Sequence, residues 1–264
     1  MVGPGAERRQ TFPGFGRTDR ETPDSRGFTD HKPFDLESLP SLSSWSSWTS
    51  QILWLAKELP DLPDDLEILE WQQMGSGTHG VIRKATVRFQ GHDRVVCIKL
   101  FREEWKAAYE REAYAYALLA YRGVRRCIPE IYWKGELPIW RWNGGHGEFN
   151  DPNELLYGLV MEWFEDCQQV EFSTLDIPTA EAIGRALDRV HAARVMHGDL
   201  QGQNILLVRE HKAVRVVLID FSVAWLNCHH WNVDNEYDGF LGKLLHRMVW
   251  SFLSMLIVTR TPKY

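Results

Sequence analysis

The spacing of apolar positions changes along this chain, and each change marks an element. Residues 1 to about 50 hold no sustained period of 2 or 3.6 and are rich in Gly, Pro, Ser, Thr and charge, which predicts a disordered tail. Behind Trp48, Ile52, Leu55 and Leu59 recur at helical spacing until Pro60, so a short helix over 49–59 and a Pro/Asp-rich joint occupy the stretch 51–65. Strand-like runs then take over. Residues 66–74 lead into a glycine cluster, and 81–89 sets Val81, Ala85, Val87 and Phe89 on one side with Arg83 and Arg88 among the polar positions. Gln90-Gly91-His92-Asp93 turns the chain back into a third strand, 94–100. Residues 103–120 lack Pro and Gly and predict a helix with Leu118 and Leu119 inward. Two further strands, 130–134 and 156–164, flank a polar, Gly-containing insert over 137–154. A helix over 178–194 carries Ile183, Leu187 and Val190 at helical spacing, with Thr179 and Glu181 near its start. Five strands and a helix thus precede a helical half, and no repeat at solenoid periods occurs.

Composition adds bounds. The 264 residues carry 30 Lys plus Arg against 36 Asp plus Glu, a net charge of −6, so bulk charge indicates no nucleic-acid partner. With 44% hydrophobic residues the chain can bury a sizeable core. Cys97, Cys127, Cys167 and Cys228 lie far apart with no C-x-x-C pair, which suggests reduced thiols rather than a disulfide scaffold. The opening MVGPGAERRQTF lacks the apolar run of a signal peptide. The apolar run 248–258, bounded by Arg247 and Arg260, is too short for a membrane span and reads as a core helix. The expectation is a cytoplasmic or nuclear protein, neither secreted nor indicated for a membrane.

Chemistry enters at three places. Gly75-Ser76-Gly77-Thr78-His79-Gly80 is G-x-G-x-x-G, in which glycine permits φ > 0 and lets backbone N–H groups approach phosphate oxygens. A strand rather than a helix follows it, which argues against a dinucleotide fold and for a phosphate-covering hairpin. In Val96-Cys97-Ile98-Lys99, Cys97 and Lys99 share one strand face, and a lysine among apolar neighbours needs a carboxylate, which Glu112 or Glu110 can supply. Finally His197-Gly198-Asp199-Leu200, with Asn204, matches H-x-D-L-x-x-x-N, and Ile219-Asp220-Phe221-Ser222 follows. Asp199 can accept a hydroxyl proton, the Asn204 amide oxygen can ligate a cation, and Asp220 offers a hard carboxylate for Mg²⁺.

Over residues 66–223 these motifs make the chain resemble the atypical branch of the protein-kinase-like superfamily, similar to fungal protein-kinase-like, RIO-type and lipopolysaccharide kinase sequences. The resemblance implies an α+β, two-lobed protein-kinase-like fold, with a five-stranded N-lobe over 66–164 and a shortened helical C-lobe over 165–264. It also implies bound ATP and Mg²⁺. Gly75, Gly77 and Gly80 would cover the phosphates, and Lys99 would hold them while paired to Glu112. Ile82 and Cys97 would roof the adenine, Met161 would be the gatekeeper, and Glu162 and Trp163 the hinge whose backbone meets the adenine edge. Asp199 would be the catalytic base, Asn204 and Asp220 the metal ligands, and His197 a scaffold. The implied activity is phosphoryl transfer from ATP to a hydroxyl acceptor, protein Ser/Thr or a small alcohol; the alternative is a nucleotide-binding pseudokinase or scaffold.

The chain departs from that pattern at several positions. Gly198 replaces the arginine that receives activation-loop phosphate, and Gln201 replaces a phosphoryl-neutralising lysine. Ser222 replaces the glycine of D-F-G and is expected to resist a φ > 0 that the segment needs for flipping, and no A-P-E follows. Arg194 or Arg215 could supply the missing charge. Cys228-His229-His230, with His246, is read as structural rather than metal-binding. Asp238 either anchors the catalytic loop, as the resemblance suggests, or caps a helix.

Overall fold

In the computed structural model, residues 59–77, 79–142, 155–210, 213–228, 236, 238–240 and 242 are described. Strands β1 (Glu67–Ser76), β2 (Val81–Phe89) and β3 (His92–Phe101) form an antiparallel meander. The β2–β3 register runs unbroken from Val81 opposite Leu100 to Phe89 opposite His92. Gln90 at φ 50° and Gly91 at φ 77° make the connection, because two positive-φ residues match the right-handed twist of the flanking strands. With β4 (Ile131–Pro138) and β5 (Leu155–Glu162) the sheet has the order β1-β2-β3-β5-β4, antiparallel throughout. The expected strand at 156–164 ends at Glu162, and the expected 130–134 runs on to Pro138, where the one-turn helix α2 (Ile139–Trp142) begins.

Arg83 corrects the expected polar pattern of β2. It shares strand parity with Ala85 and Val87 and is buried with them. Its guanidinium lies 3.9 Å over the Trp71 ring, and Nη1 donates to the Trp142 carbonyl at 3.4 Å. Burial draws its pKa down to about 10.

The helix expected over 103–120 opens as a 3-10 turn, Glu103–Trp105, and continues as α1 (Lys106–Tyr121). Its C-terminal half is buried almost all round, from Glu112 through Leu119, as befits a helix covered on several sides. Tyr116 and Leu119 join Phe101 and Leu159 of the sheet to Ile183, Leu187, Leu218 and Phe221 in one continuous core.

α3 (Ile177–Ala192) starts one residue earlier than expected, because Asp176 caps it: the carboxylate accepts from the Thr179 N–H at 2.9 Å, with Pro178 in the first turn. The half read as helical also contains sheet. β6 (Cys167–Gln169), β8 (Ile205–Glu210) and β9 (Ala213–Leu218) pair antiparallel in the order β6-β8-β9, and β7 (Val195–Met196) pairs with β10 (Trp225–Leu226). β-branched and leucine-rich runs at 205–208 and 214–218 form this hairpin, its inner residues Ile205, Val217 and Leu218 fully buried. Residues 1–58, residues 143–154 of the insert and the apolar run 248–258 lie outside the described residues. Among the described residues no helix is long and apolar enough to cross a membrane.

Candidate active site

The hairpin β8–β9 sets the site. Ile205 lies opposite Leu218, so the residues just outside the hairpin, Asn204 and Ile219, also meet, with the Ile219 N–H donating to the Asn204 carbonyl at 3.0 Å. Asn204 and Asp220 are thereby brought to one end of the hairpin although 16 positions apart. The β7–β10 pairing brings the following segment back past His197.

Lys99 reaches this end from β3. Its ammonium lies 2.6 Å from Glu112 Oε2 of α1 and 2.7 Å from Asp220 Oδ1, which selects Glu112 over Glu110 as its partner. Burial opposes the Lys99 charge, but the two carboxylates outweigh it and hold the pKa above the usual lysine value. Burial likewise works against the Asp220 carboxylate and is outweighed by Lys99, leaving its pKa below the usual range. Glu112 is fully enclosed, and burial raises its pKa despite Lys99.

Directly opposed residues of antiparallel strands share a face, and Ile82 faces Lys99 while Met161 faces Cys97. Ile82, Cys97 and Met161 therefore lie on the Lys99 face. Burial pushes the Cys97 thiol up to about 12, so it stays neutral there. Glu162 lies opposite Val96 and turns to the other face, where Arg215 grips both its oxygens at 3.1 and 3.2 Å. The Glu162 N–H donates to the Glu130 carbonyl at 2.8 Å, so this amide is already used. Arg215 also donates to the carbonyls of Arg126 and Ile128, so it is committed to these partners and Glu162 and supplies no charge in place of the missing arginine. Trp163 points its indole N–H at Glu165 and lies 5.0 Å from Lys84.

The glycine turn is held for a different reason than expected. None of Gly75, Gly77 and Gly80 has positive φ. Gly80 is required by close approach, since a Cβ there would lie 2.6 Å from the Leu100 carbonyl oxygen, while nothing lies within 4 Å of a Cβ built at Gly75 or Gly77. Those two leave open space over the site. The Gly77 N–H donates to the Gly80 carbonyl at 2.8 Å, and His79 Nδ1 lies 3.3 Å from Ser222 Oγ, so the turn touches the segment after Asp220.

The catalytic-loop candidate is fixed from several sides. His197 is fully buried; Nε2 donates to the Ile219 carbonyl at 2.9 Å and Nδ1 accepts from the Asp199 N–H at 3.3 Å. Both ring nitrogens are thus satisfied in the neutral form, and burial lowers its pKa accordingly. Asp199 Oδ1 accepts from the Gln201 carboxamide at 2.7 Å and Oδ2 from Asn204 Nδ2 at 3.0 Å. Gln201 therefore orients the candidate base rather than standing free. Asn204 spends its donor on Asp199, which leaves its amide oxygen as the acceptor to offer a cation.

Glu236 is the residue that sequence reasoning missed. Its carboxylate accepts from the N–H groups of Gly198 at 2.6 Å and His197 at 2.9 Å and meets His191 Nε2 at 2.9 Å. Burial opposes its charge, but these donors hold its pKa below the usual carboxylate range. It anchors the loop, whereas Asp238, two residues on, is exposed. No sequence spacing separates the two, because the choice depends on where the loop amides point. Gly198 is required by its own conformation: φ is +82°, and a Cβ would lie 2.5 Å from the Val223 carbonyl oxygen.

The left-handed residue of the D-F-S segment is Asp220, at φ +64°, and Ser222 is not at positive φ, so the expected conflict at Ser222 does not arise. An aspartate tolerates this conformation through a local bond, here the Ser222 N–H to Asp220 Oδ1 at 3.3 Å. Arg111 of α1 donates to the Ser222 carbonyl at 3.3 Å. Among Cys228, His229, His230 and His246, only Cys228 is among the described residues, and its thiol donates to the Trp225 carbonyl at 3.1 Å.

The assembled groups can bind anionic oxygens through Lys99, present hard oxygen donors at Asn204 and Asp220, and take up a proton at Asp199. No curated protein matches the chain. Residues 161–236, from the gatekeeper candidate to the loop anchor, match the model of the lipopolysaccharide kinase (Kdo/WaaP) family. That match bears out the resemblance to the atypical branch of the protein-kinase-like superfamily and supports a kinase-type phosphotransferase.

Proposed function

We propose that this protein transfers the γ-phosphoryl group of Mg²⁺-bound ATP to a hydroxyl acceptor, in a cleft between an N-lobe, 66–164, and a C-lobe, 165–264. The observation that carries the reading is the position of Lys99 between Glu112 and Asp220, with Asp199 and Asn204 hydrogen-bonded beside them. Asn204 and Asp220 suit Mg²⁺, a hard cation that takes one or two protein oxygens and completes its shell from phosphates and water. When bound, Mg²⁺ would neutralise charge on the phosphates.

The chain's own residues do the rest. Lys99 would hold the phosphates from the sheet side, and Gly75 and Gly77 would leave room for them. Asp199 would take the acceptor proton as the acceptor oxygen bonds to the γ-phosphorus and the bond to the bridging oxygen of ADP breaks. Gln201 and Asn204 would keep the Asp199 carboxylate aimed. We favour a non-peptide alcohol as acceptor, because Gly198 and Gln201 depart from the protein-kinase pattern and the matched family is named for lipopolysaccharide kinases.

The test measures melting with and without Mg²⁺-ATP, then ATP consumption against separate pools of proteins and small alcohols. At a hundredfold excess over Kd, binding stabilises the folded state by about 2.7 kcal/mol, and Asp220→Ala removes the Mg²⁺-dependent part. An unchanged melting curve at saturating Mg²⁺-ATP refutes the nucleotide site. ATP binding without turnover on any acceptor points instead to a nucleotide-binding scaffold.

A further inference from the structure

A second charged site lies away from Lys99, where the C-terminal ends of α1 and α3 meet. Arg122, Arg125 and Arg126, in the connection from α1 towards β4, and Arg189, in the last turn of α3, line a cavity of about 510 Å³ together with the buried Val124 and Ala193. This concentration of cations stands out in a chain of net charge −6.

The ordinary reason for arginine at a helix C-terminus is to satisfy its last carbonyls and offset its dipole. Here backbone donors take all but the final carbonyl of each helix. At the end of α1, the Arg122, Gly123 and Val124 N–H groups donate to the carbonyls of Leu118, Ala120 and Leu119. At the end of α3, Ala193 N–H is shared by Arg189 and Val190, and Arg194 N–H goes to His191. Among the described residues none of the four guanidiniums hydrogen-bonds to the carbonyls so satisfied. Among the described residues, Arg122, Arg125 and Arg189 form no ion pair, and Arg126 meets only Glu210, at 3.8 Å on an exposed surface where such pairs contribute little. The two helix ends contribute about −0.5 charge each, against four guanidiniums, so the lining keeps a net positive charge.

We propose that this cavity binds a small polyphosphate-bearing anion. Its volume falls in the range of small-molecule sites, and guanidiniums recognise phosphate through paired, charge-assisted hydrogen bonds. A ligand with two or more phosphates offers the four arginines more anionic oxygens than a single dianion does.

Inorganic tripolyphosphate is the probe, titrated calorimetrically into the full chain without Mg²⁺ or ATP. Three proteins are compared: wild type, a groove variant (Arg122→Gln, Arg125→Gln and Arg189→Gln together), and a control variant removing as much charge elsewhere (Arg88→Gln, Lys106→Gln and Arg185→Gln). The groove variant is expected to lose at least about tenfold in affinity and the control less than about twofold, with sulfate binding wild type at least about tenfold more weakly than tripolyphosphate. If the groove variant melts at a lower temperature than wild type, Arg125→Gln alone is used and is expected to lose about threefold. Absence of binding, equal affinity in wild type and groove variant, equal loss in both variants, or sulfate matching tripolyphosphate overturns the proposal. Equal affinity in wild type and groove variant would place the probe at Lys99 and leave the kinase reading intact.

Discussion

Placing an arginine back at position 198 should destabilise this protein rather than give it a phosphate-regulated loop. Gly198 sits at φ +82°, a conformation that costs a residue bearing Cβ about 1 to 2 kcal/mol. A Cβ would also lie 2.5 Å from the Val223 carbonyl oxygen, a backbone atom that cannot rotate away. Moving it strains the segment between Asp220 and β10, and overpacking of this kind typically costs about 1 to 3 kcal/mol. Any shift of the loop also stretches the 2.6 Å bond from the Gly198 N–H to Glu236. We expect about 2 to 5 kcal/mol in all, which in a domain of this size lowers Tm by roughly 5 to 15 °C. Gly198→Ala isolates the cause: alanine carries the Cβ and none of the arginine's length or charge, so both variants should lose similar stability. Thermal melts by circular dichroism read the loss, and initial rates show a drop in kcat as Asp199 moves with the loop. If Gly198→Ala melts within 1 °C of wild type, steric need does not explain the glycine and the reasoning fails.

Asp199→Asn should lower kcat by about 10² to 10⁴ while ATP affinity stays nearly unchanged, since in the proposed reaction the carboxylate would act as base and Lys99 would hold the nucleotide; equal loss of both in a folded variant makes Asp199 structural. Stability should fall on acidification in two steps. Burial lowers the His197 pKa, so stability is lost as pH drops below about 6.5, where the unfolded chain alone takes up the proton. Glu236, depressed by its donors against burial, contributes stability above its unfolded pKa of about 4.5 that is lost as pH falls through its lower folded value. Glu236→Gln should shrink the lower step, which Asp220 shares, and a Tm flat between pH 7 and 3.5 would contradict both assignments. His79→Ala and Ser222→Ala should each weaken ATP binding a fewfold, and the double variant should do no worse than either single one if the 3.3 Å contact couples the glycine turn to the Asp220 segment. Additive losses would mean the two act separately.

How much of this could be read from the chain follows from the range of the forces involved. Local pattern determined the meander: strand alternation and the Gln90-Gly91 turn act over a few residues, and β2 came out with the bounds its sequence predicts. Lys99, Asp199, Asn204 and Asp220 could be picked out as candidates from their motifs, and the structure pairs Lys99 with Asp220 and Asp199 with Asn204. The choice of Glu112 over Glu110 was not legible, since the two are half a helical turn apart and only the packing of α1 on β5 decides which one points at Lys99. Arg83 broke its strand's pattern because Trp71 and Trp142, distant in sequence, supply its surroundings. The β6-β8-β9 sheet was missed for a similar reason, short apolar runs being equally compatible with strand or buried helix until a partner strand takes up their backbone hydrogen bonds. Gly198 and Glu236 show the same boundary at the site itself. The sequence displays a glycine where an arginine is common and acidic residues 38 and 40 positions further on, but only the folded loop puts two amides onto Glu236 and a carbonyl against the missing Cβ.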